Sequence, residues 1–320
     1  MDETKGMKDE ELPGVSVVIP AYNYARFLPF AVESARSQDY PKFEVVVIDD
    51  GSKDNTAEVM KQFSSPVRYV YQDNVGLSAA RNSGIREAKY DFVAFLDADD
   101  EFRPGLLREG MSRFAELVDE YGLVACAGEQ IDVDGKPLYT RKHVPETPRE
   151  VRVEEIVMRT RFMPTGVICR KHVFDSCGGF DTQLKSTEDR DMWIRIAARH
   201  RVFHQGKVLA NIRKHGDNMS NNADQQQRNM SIVLKKSWRN GVVPRVRFWF
   251  WLQVFSYRRY QAALIYNGIK RPWPAFRDLL VSILYWPVFF NPASTGDRFM
   301  FRCRQLVRFT LNALRGEVKR

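Results

Sequence analysis

The sequence predicts an α/β fold, a mostly parallel sheet flanked by helices, and three observations predict it. From Val15 onward, short apolar runs alternate with stretches whose apolar residues keep helical spacing. The runs are continuous rather than alternating, as in strands buried on both faces. Two of them end abruptly in carboxylates, at Asp49-Asp50 and at Asp97-Ala98-Asp99-Asp100. Open α/β sheets place their ligands at such carboxyl ends.

The elements follow in order. Val15 to Ile19 is the first strand, ended by Pro20, and Leu28, Ala31, Val32 and Ala35 form the inner face of the helix after it. Phe43 to Ile48 is the second strand; Asp54 offers a helix cap, with Val59, Met60 and Phe63 as the next apolar stripe. Val67 to Tyr71 is the third. The helix from Leu77 to Ala88 sets Leu77, Ala80, Gly84 and Ile85 on one face with Arg81 beside them, and leads to a central strand, Phe92 to Leu96. Pro104 opens a helix running toward Glu120, with Leu107, Met111, Phe114 and Val118 inward, and Leu123 to Ala127 returns as a strand. Asp134-Gly135 marks a hairpin turn. Thr187 caps a helix carrying Asp189, Trp193, Ile196 and His200, and Lys207 to Ile212 is the last strand. Repeated strand–helix alternation implies right-handed crossovers.

The strand ends carry the chemistry. In an extended chain Asp97 and Asp99 point to the same side, and two carboxylates so close repel each other. A divalent cation carrying a phosphate-rich substrate relieves that repulsion; the bland reading is an acidic turn before the next helix. No Gly-X-Gly-X-X-Gly and no Walker pattern follows the first strand, which disfavours a dinucleotide or triphosphate loop. A bound diphosphate must then be met by metal and side chains. Glu188 and Asp189 begin a helix, where its dipole keeps a carboxylate ionised, as a general base requires. In the loop after the last strand, His215 can supply a nitrogen ligand and Arg213 a planar cation for a diphosphate.

The net charge of +9 over 320 residues is unevenly spread. From Gln226 onward there are 18 Lys and Arg against 3 Asp and Glu, and five of the six tryptophans lie there. That asymmetry suggests a partner for the tail, an anionic membrane surface or a nucleic acid. Arg245 to Phe255 and Leu279 to Phe290 are apolar but shorter than the ~20 residues of a spanning helix. With Arg258, Arg259, Lys270, Arg271 and the Arg302 to Arg308 cluster, they fit helices lying in the membrane interface or a helical subdomain. Cys126, Cys169, Cys177 and Cys303 show no disulfide spacing, and Met1 to Gly14 carries no apolar leader core, which points to a reducing, cytoplasmic setting.

Taken together, Val17-Val-Ile-Pro-Ala-Tyr-Asn23, Val47-Ile-Asp-Asp-Gly-Ser52, Gly76-Leu-Ser-Ala-Ala-Arg-Asn-Ser-Gly84, Phe95-Leu-Asp-Ala-Asp-Asp100, Gly179-Phe-Asp181 and Glu188-Asp189 resemble family 2 glycosyltransferases of the GT-A fold, such as those that build bacterial cell-surface polysaccharides. The resemblance runs from about Val15 to Ser220 and stops short of the tail. It implies a GT-A catalytic domain over 15–225, after a flexible tail of 1–14 and before a helical, aromatic and basic region over 226–320. The activity implied is inverting transfer of a sugar from a nucleotide-diphospho-sugar, a UDP-sugar first among them, to a hydroxyl of a glycan or lipid-linked acceptor. By motif position Pro20, Tyr22 and Asn23 resemble the nucleoside floor, Asp50 the residue bonding the base, and Arg81 a neighbour of that pocket. Asp97 is similar to the residue near ribose and metal, and Asp99 to the ligand of Mn²⁺ or Mg²⁺, with His215 an optional third. Asp189 matches the base, while Glu188 and Arg213 are candidate acceptor or diphosphate contacts. The expected setting is the cytoplasmic face of the membrane, peripherally bound, with no nucleic-acid partner. A nucleotide-sugar-binding module without activity and a nucleic-acid-binding protein working through its tail are the alternatives.

Overall fold

The computed structural model describes residues 12–138, 147–159, 162–216, 223–244 and 246–286. The Arg302 to Arg308 cluster, Cys303, Arg245, residues 1–11 and the end of the second apolar stretch lie outside them.

Strand β1 (Val15–Ala21) is buried along its whole length, between β2 (Phe43–Asp50) and β4 (Phe92–Phe95), both parallel to it. β3 (Val67–Gln72) adds to β2, again in parallel. Beyond β4 the sheet becomes mixed, through β8 (Val167–Arg170), β6 (Tyr121–Ile131), β9 (Arg201–Arg213) and β5 (Glu101–Phe102), giving the order β3-β2-β1-β4-β8-β6-β9-β5. β7 (Arg149–Glu150) pairs antiparallel with β9.

Pro20 does not end β1 as the sequence reading expects; it stays in the strand, paired in register with Ile48. β4 accompanies β1 only as far as Val18, so past that point β1 has a neighbour on one side alone, where a missing N–H is tolerated. β6 and β9 are also longer than their apolar runs suggest: β6 continues past Ala127 into partly exposed residues, and β9 begins earlier, at Arg201, where it pairs with Tyr121.

Alternate residues of β1, β2 and β4 feed two layers, which is why each carries a continuous apolar run, whereas the edge strand β3 is partly exposed. Val15, Val17, Ile19, Val45 and Val47 pack with α1 (Leu28–Arg36) and with Leu106, Leu107, Met111 and Phe114 of α4 (Leu106–Glu116). Val46 and Ile48 face Ala80 of α3 (Leu77–Glu87) on the other side. The short α2 (Thr56–Met60) joins β2 to β3. α5 (Val153–Met158), α6 (Val173–Cys177) and α7 (Glu188–Ala197) follow later in the chain. α7 ends before His200, so that residue leaves the helical stripe expected of it.

The contacts divide the chain into Met1–Ile156 with Thr160–Asn218, and Val157–Arg159 with Met219–Arg320. The second unit contains α8 (Ala223–Arg239), α9 (Phe248–Gly268) and α10 (Pro272–Tyr285). α9 and α10 share a small core of Tyr260, Ala262, Ala263, Tyr266, Ala275 and Leu279, and Ser256 Oγ donates across it to the Ser282 carbonyl at 2.6 Å. No helix among the described residues is long and apolar enough to cross a membrane.

Gly84 sets the approach of α3 to β1: a Cβ there would lie 2.1 Å from Cγ1 of the fully buried Val18. Alanine would gain about 1 kcal/mol of helix propensity but overpack a stiff β-branched neighbour, at about 1–3 kcal/mol. Gly84→Ala is therefore expected to lower the urea midpoint with an unchanged slope; a raised midpoint would show that α3 can lift off β1.

Candidate active site

The strand ends gather at one edge of the sheet, and a buried arginine organises them. Arg81, on α3 and 1% exposed, donates from Nη2 to Asp97 Oδ1 at 2.6 Å and from Nη1 to Glu188 Oε1 at 2.5 Å. One planar guanidinium thus ties the end of β4 to the start of α7. Its neighbour Asn82 makes a second tie, accepting from the Phe180 N–H at 2.7 Å and donating to the Phe180 carbonyl at 2.9 Å. Arg81, which the resemblance places beside the nucleoside pocket, is an ion-paired strut at this edge.

Asp99 meets His215, with Oδ2 2.9 Å from Nε2. The imidazole stacks on Phe27 at 4.9 Å and lies edge-on to Tyr24. Burial, then the charge of Asp97, raises the Asp99 carboxyl above its ordinary range. Asp100 is buried deeper still, accepting from Thr165 Oγ1 at 2.6 Å and the Arg213 N–H at 2.9 Å, and burial pushes it well up. Arg213 is a correction. It is 2% exposed, and its guanidinium donates to the carbonyls of Asp99, Asp132 and Val133 at 3.0 Å and to the Glu101 carboxylate. It braces the acidic turn from within rather than facing a diphosphate.

At the end of β1, Tyr22 is exposed and Asn23 adopts a left-handed backbone with φ 58°. Asn23 exchanges bonds with the next strand's loop: its N–H donates to Ser52 Oγ at 2.9 Å and its Oδ1 accepts from the Lys53 N–H at 2.7 Å. Asp50 is buried, accepting from Gln72 Nε2 at 2.6 Å, the Val75 N–H at 3.1 Å and the Gly76 N–H at 2.7 Å. Asp49 accepts from the Ser52 N–H and from the Tyr69 hydroxyl, at 2.8 and 2.5 Å. Both carboxylates therefore fix the loops around the pocket, and a base at Asp50 would share oxygens already engaged.

Glu188 and Asp189 open α7, but the local geometry departs from an ordinary capped start. Thr187 sits at φ 61°, a strained conformation for a β-branched residue, and its buried Oγ1 makes no hydrogen bond, so it does not cap the helix. Trp193 anchors α7 by packing on Phe95, Phe162 and Phe180. Asp189 is not held ionised by the helix dipole as expected. Burial and the charge of Glu188 push its carboxyl up to about 7, against the pull of Arg81. Glu188 itself is buried against Arg81, not presented to an acceptor.

Asp97, Asp99 and His215 offer carboxylate oxygens and an imidazole nitrogen, a hard-to-borderline donor set that suits Mn²⁺ or Mg²⁺. Among the described residues no three His, Cys, Asp or Glu side chains converge into a ready-made cage. Burial first, and then the repulsion from Asp97, raises Asp99; a cation at this pair would offset both by favouring the charged carboxylates, so the donors fit the ion. Sequence reasoning missed Thr165 and Asn82. Neither residue type announces a site; only the 68-residue step from Asp97 to Thr165, and the 98-residue step from Asn82 to Phe180, brings them in.

The family profile described as Glycosyl transferase family 2 matches residues 16–178. A protein of Rickettsia prowazekii named as a glycosyltransferase is 29% identical over 213 residues, 66% of this chain and 67% of its own length. The chondroitin synthase of Pasteurella multocida is 31% identical over 231 residues, 71% of this chain but only 23% of the synthase. Two solved structures share the fold. The mannosyltransferase PcManGT of Pyrobaculum calidifontis, in complex with GDP-Man and Mn²⁺, superposes with a TM-score of 0.64 at 18% identity, covering 96% of this chain and 82% of its own. Residues 1–349 of TarS from S. aureus, in complex with UDP-GlcNAc, give 0.57 at 20% identity, covering 85% and 89%.

Removing one partner of a buried hydrogen-bonding group costs about 1–3 kcal/mol. Glu188→Ala leaves Arg81 paired with Asp97 but takes the partner of Nη1 away, and should destabilise the fold by that order in urea denaturation. A loss below about 1 kcal/mol would show that solvent reaches Arg81 and that the strut is dispensable.

Proposed function

The chain belongs to glycosyltransferase family 2, and from that membership we propose an inverting, metal-assisted transfer of a sugar from a UDP-sugar to a hydroxyl of a glycan or lipid-linked acceptor. The observation that carries the reading is the Arg81 strut. It holds Asp97, at the metal and nucleotide side, and Glu188, next to the base, on one guanidinium. Asp189 stands close enough to feel the charge of Asp97.

In this reading Asn23, Asp50 and the loops they fix receive the nucleoside, and the Asp97–Asp99 edge receives the diphosphate. Asp97, Asp99 and His215 would hold Mn²⁺ or Mg²⁺, which when bound supplies positive charge for the departing diphosphate. Asp189 takes the proton of the acceptor hydroxyl as that oxygen bonds to the anomeric carbon, while the carbon–phosphate-oxygen bond breaks on the opposite face. A carboxylate near 7 is a stronger proton acceptor than an ordinary aspartate and is still ionised above that pH. The UDP-GlcNAc seen in TarS supports a UDP donor, and the GDP-Man and Mn²⁺ of PcManGT support a metal while leaving other bases in play.

The second unit suits a peripheral place on an anionic membrane face. Phe248, Trp249 and Leu284 are more than half exposed, on a tail rich in Lys and Arg.

Two outcomes are expected. UDP should raise the melting temperature clearly with Mn²⁺ and only weakly in chelator, and Asp99→Ala should remove the difference. Equal stabilisation in chelator would sink the metal bridge. Asp189→Asn should keep that nucleotide shift but lose about 10²- to 10⁴-fold in transfer. Because the active form is deprotonated, the wild-type rate should fall as pH drops below about 7, and the residual activity of the variant should lack that limb. Near-normal transfer by Asp189→Asn would move the base elsewhere.

A further inference from the structure

The C-terminal unit contains a pocket that sugar transfer leaves unused. It encloses about 420 Å³ among α8, α9 and α10, and Arg228, Arg258, Arg259 and Arg277 line it with Asp224 and Asp278. That volume lies in the range of small-molecule sites, about 300–1,000 Å³.

The charges do not balance within the pocket. Asp224 accepts from the Tyr266 hydroxyl at 2.7 Å and pairs with Arg271, a cation outside the lining, also at 2.7 Å. Asp278, its side chain 2% exposed, serves two guanidinium groups: Arg259 at 2.7 Å and Arg277 at 3.3 Å. Arg258 donates to neutral oxygens of α8, namely Gln227 Oε1 and Ser231 Oγ at 2.5 Å and the Gln227 carbonyl. Burial and the neighbouring Arg259 lower Arg258 to about 10, which still leaves it charged at neutral pH. Asp278 attracts Arg258 as well, but that one carboxylate already bonds Arg259 and Arg277, and a partly buried guanidinium whose own bonds go to neutral oxygens is costly unless a further anion completes it. Planar forks arranged this way match the tetrahedral oxygens of phosphate.

We propose that this pocket binds a phosphate ester, with Arg258, Arg259 and Arg277 as its ligands and Asp278 holding the last two in position. The site is independent of the active site and of the reading given to it. Two sources share that chemistry, a soluble phosphate ester and a lipid headgroup. The lipid source has a physical footing, because Trp273, Arg277, Leu280 and Leu284 recur at helical spacing along α10, and its three apolar members are 48%, 38% and 74% exposed.

The test is calorimetric titration of glycerol 3-phosphate into the full chain, with flotation on phosphatidylcholine vesicles containing phosphatidic acid. Wild type and Asp99→Ala should bind glycerol 3-phosphate alike. Arg277→Gln and Arg258→Gln should each weaken it roughly tenfold to a hundredfold, the loss of a charge-assisted bond. Arg277, whose side chain is 64% exposed, can be replaced without unpacking the helices, so it decides the matter if Arg258→Gln fails to fold. Arg277→Gln should keep the metal-dependent UDP shift, which separates failure here from failure of the active-site reading. Displacement of the protein from vesicles by glycerol 3-phosphate identifies the headgroup source; binding of the ester with no vesicle binding identifies the soluble one, and either supports the pocket. No binding by wild type, undiminished binding by Arg277→Gln, or binding abolished by Asp99→Ala overturns it.

Discussion

The arrangement of the catalytic unit depends on one buried guanidinium. Arg81 is enclosed between the end of a central strand and the start of a helix more than a hundred residues later, and its two terminal nitrogens are partnered by Asp97 and by Glu188. Leaving either carboxylate out removes the partner of a buried guanidinium N–H, so the fold has a strong reason to close at this point. The aromatic packing around Trp193 brings α7 near, and the guanidinium fixes its register.

Much of this was legible in the sequence. The parallel strands β1, β2 and β4 read directly from Val15, Phe43 and Phe92 onward, because strands buried on both faces carry continuous apolar runs, while the edge strand β3 from Val67 is partly exposed and reads from its β-branched and aromatic residues. The acidic strand ends and the Glu188-Asp189 pair were visible as residue types in the right order. Less legible was which charge meets which. Arg213 looks like a free loop cation, yet it stacks over Phe27 and Phe30 and spends its donors on carbonyls and Glu101. Nothing local to Arg213 distinguishes those fates, since the partners come from three separate segments.

Asp189 shows why a rule of local structure can mislead. The amino end of a helix favours a carboxylate by a few tenths to about 1 kcal/mol at an exposed site. Burial beside a second carboxylate works in the opposite direction and is stronger here, so the group is poised near neutrality instead of fixed as an anion. For a proton acceptor that is the more useful state, because basicity and availability are both retained. The C-terminal helices differ in the same sense: composition gives their charge and apolar stretches, while only the packing of α8, α9 and α10 shows that several arginines converge on one cavity.

The ties that assemble the site span long stretches of chain: 107 residues from Arg81 to Glu188, 113 from Asp100 to Arg213 and 116 from Asp99 to His215. Each encloses a loop whose closure entropy must be met before the contact rewards it, so such contacts form late in folding. The amino-terminal strands and their helices can associate while a nascent chain is still being made, and Arg81 and Thr165 can already meet Asp97 and Asp100, but the acidic edge is completed only when Arg213 and His215 have emerged. If the proposed site is the one that binds ligand, a chain that stops before His215 would keep most of the strands of the sheet and lack the completed edge.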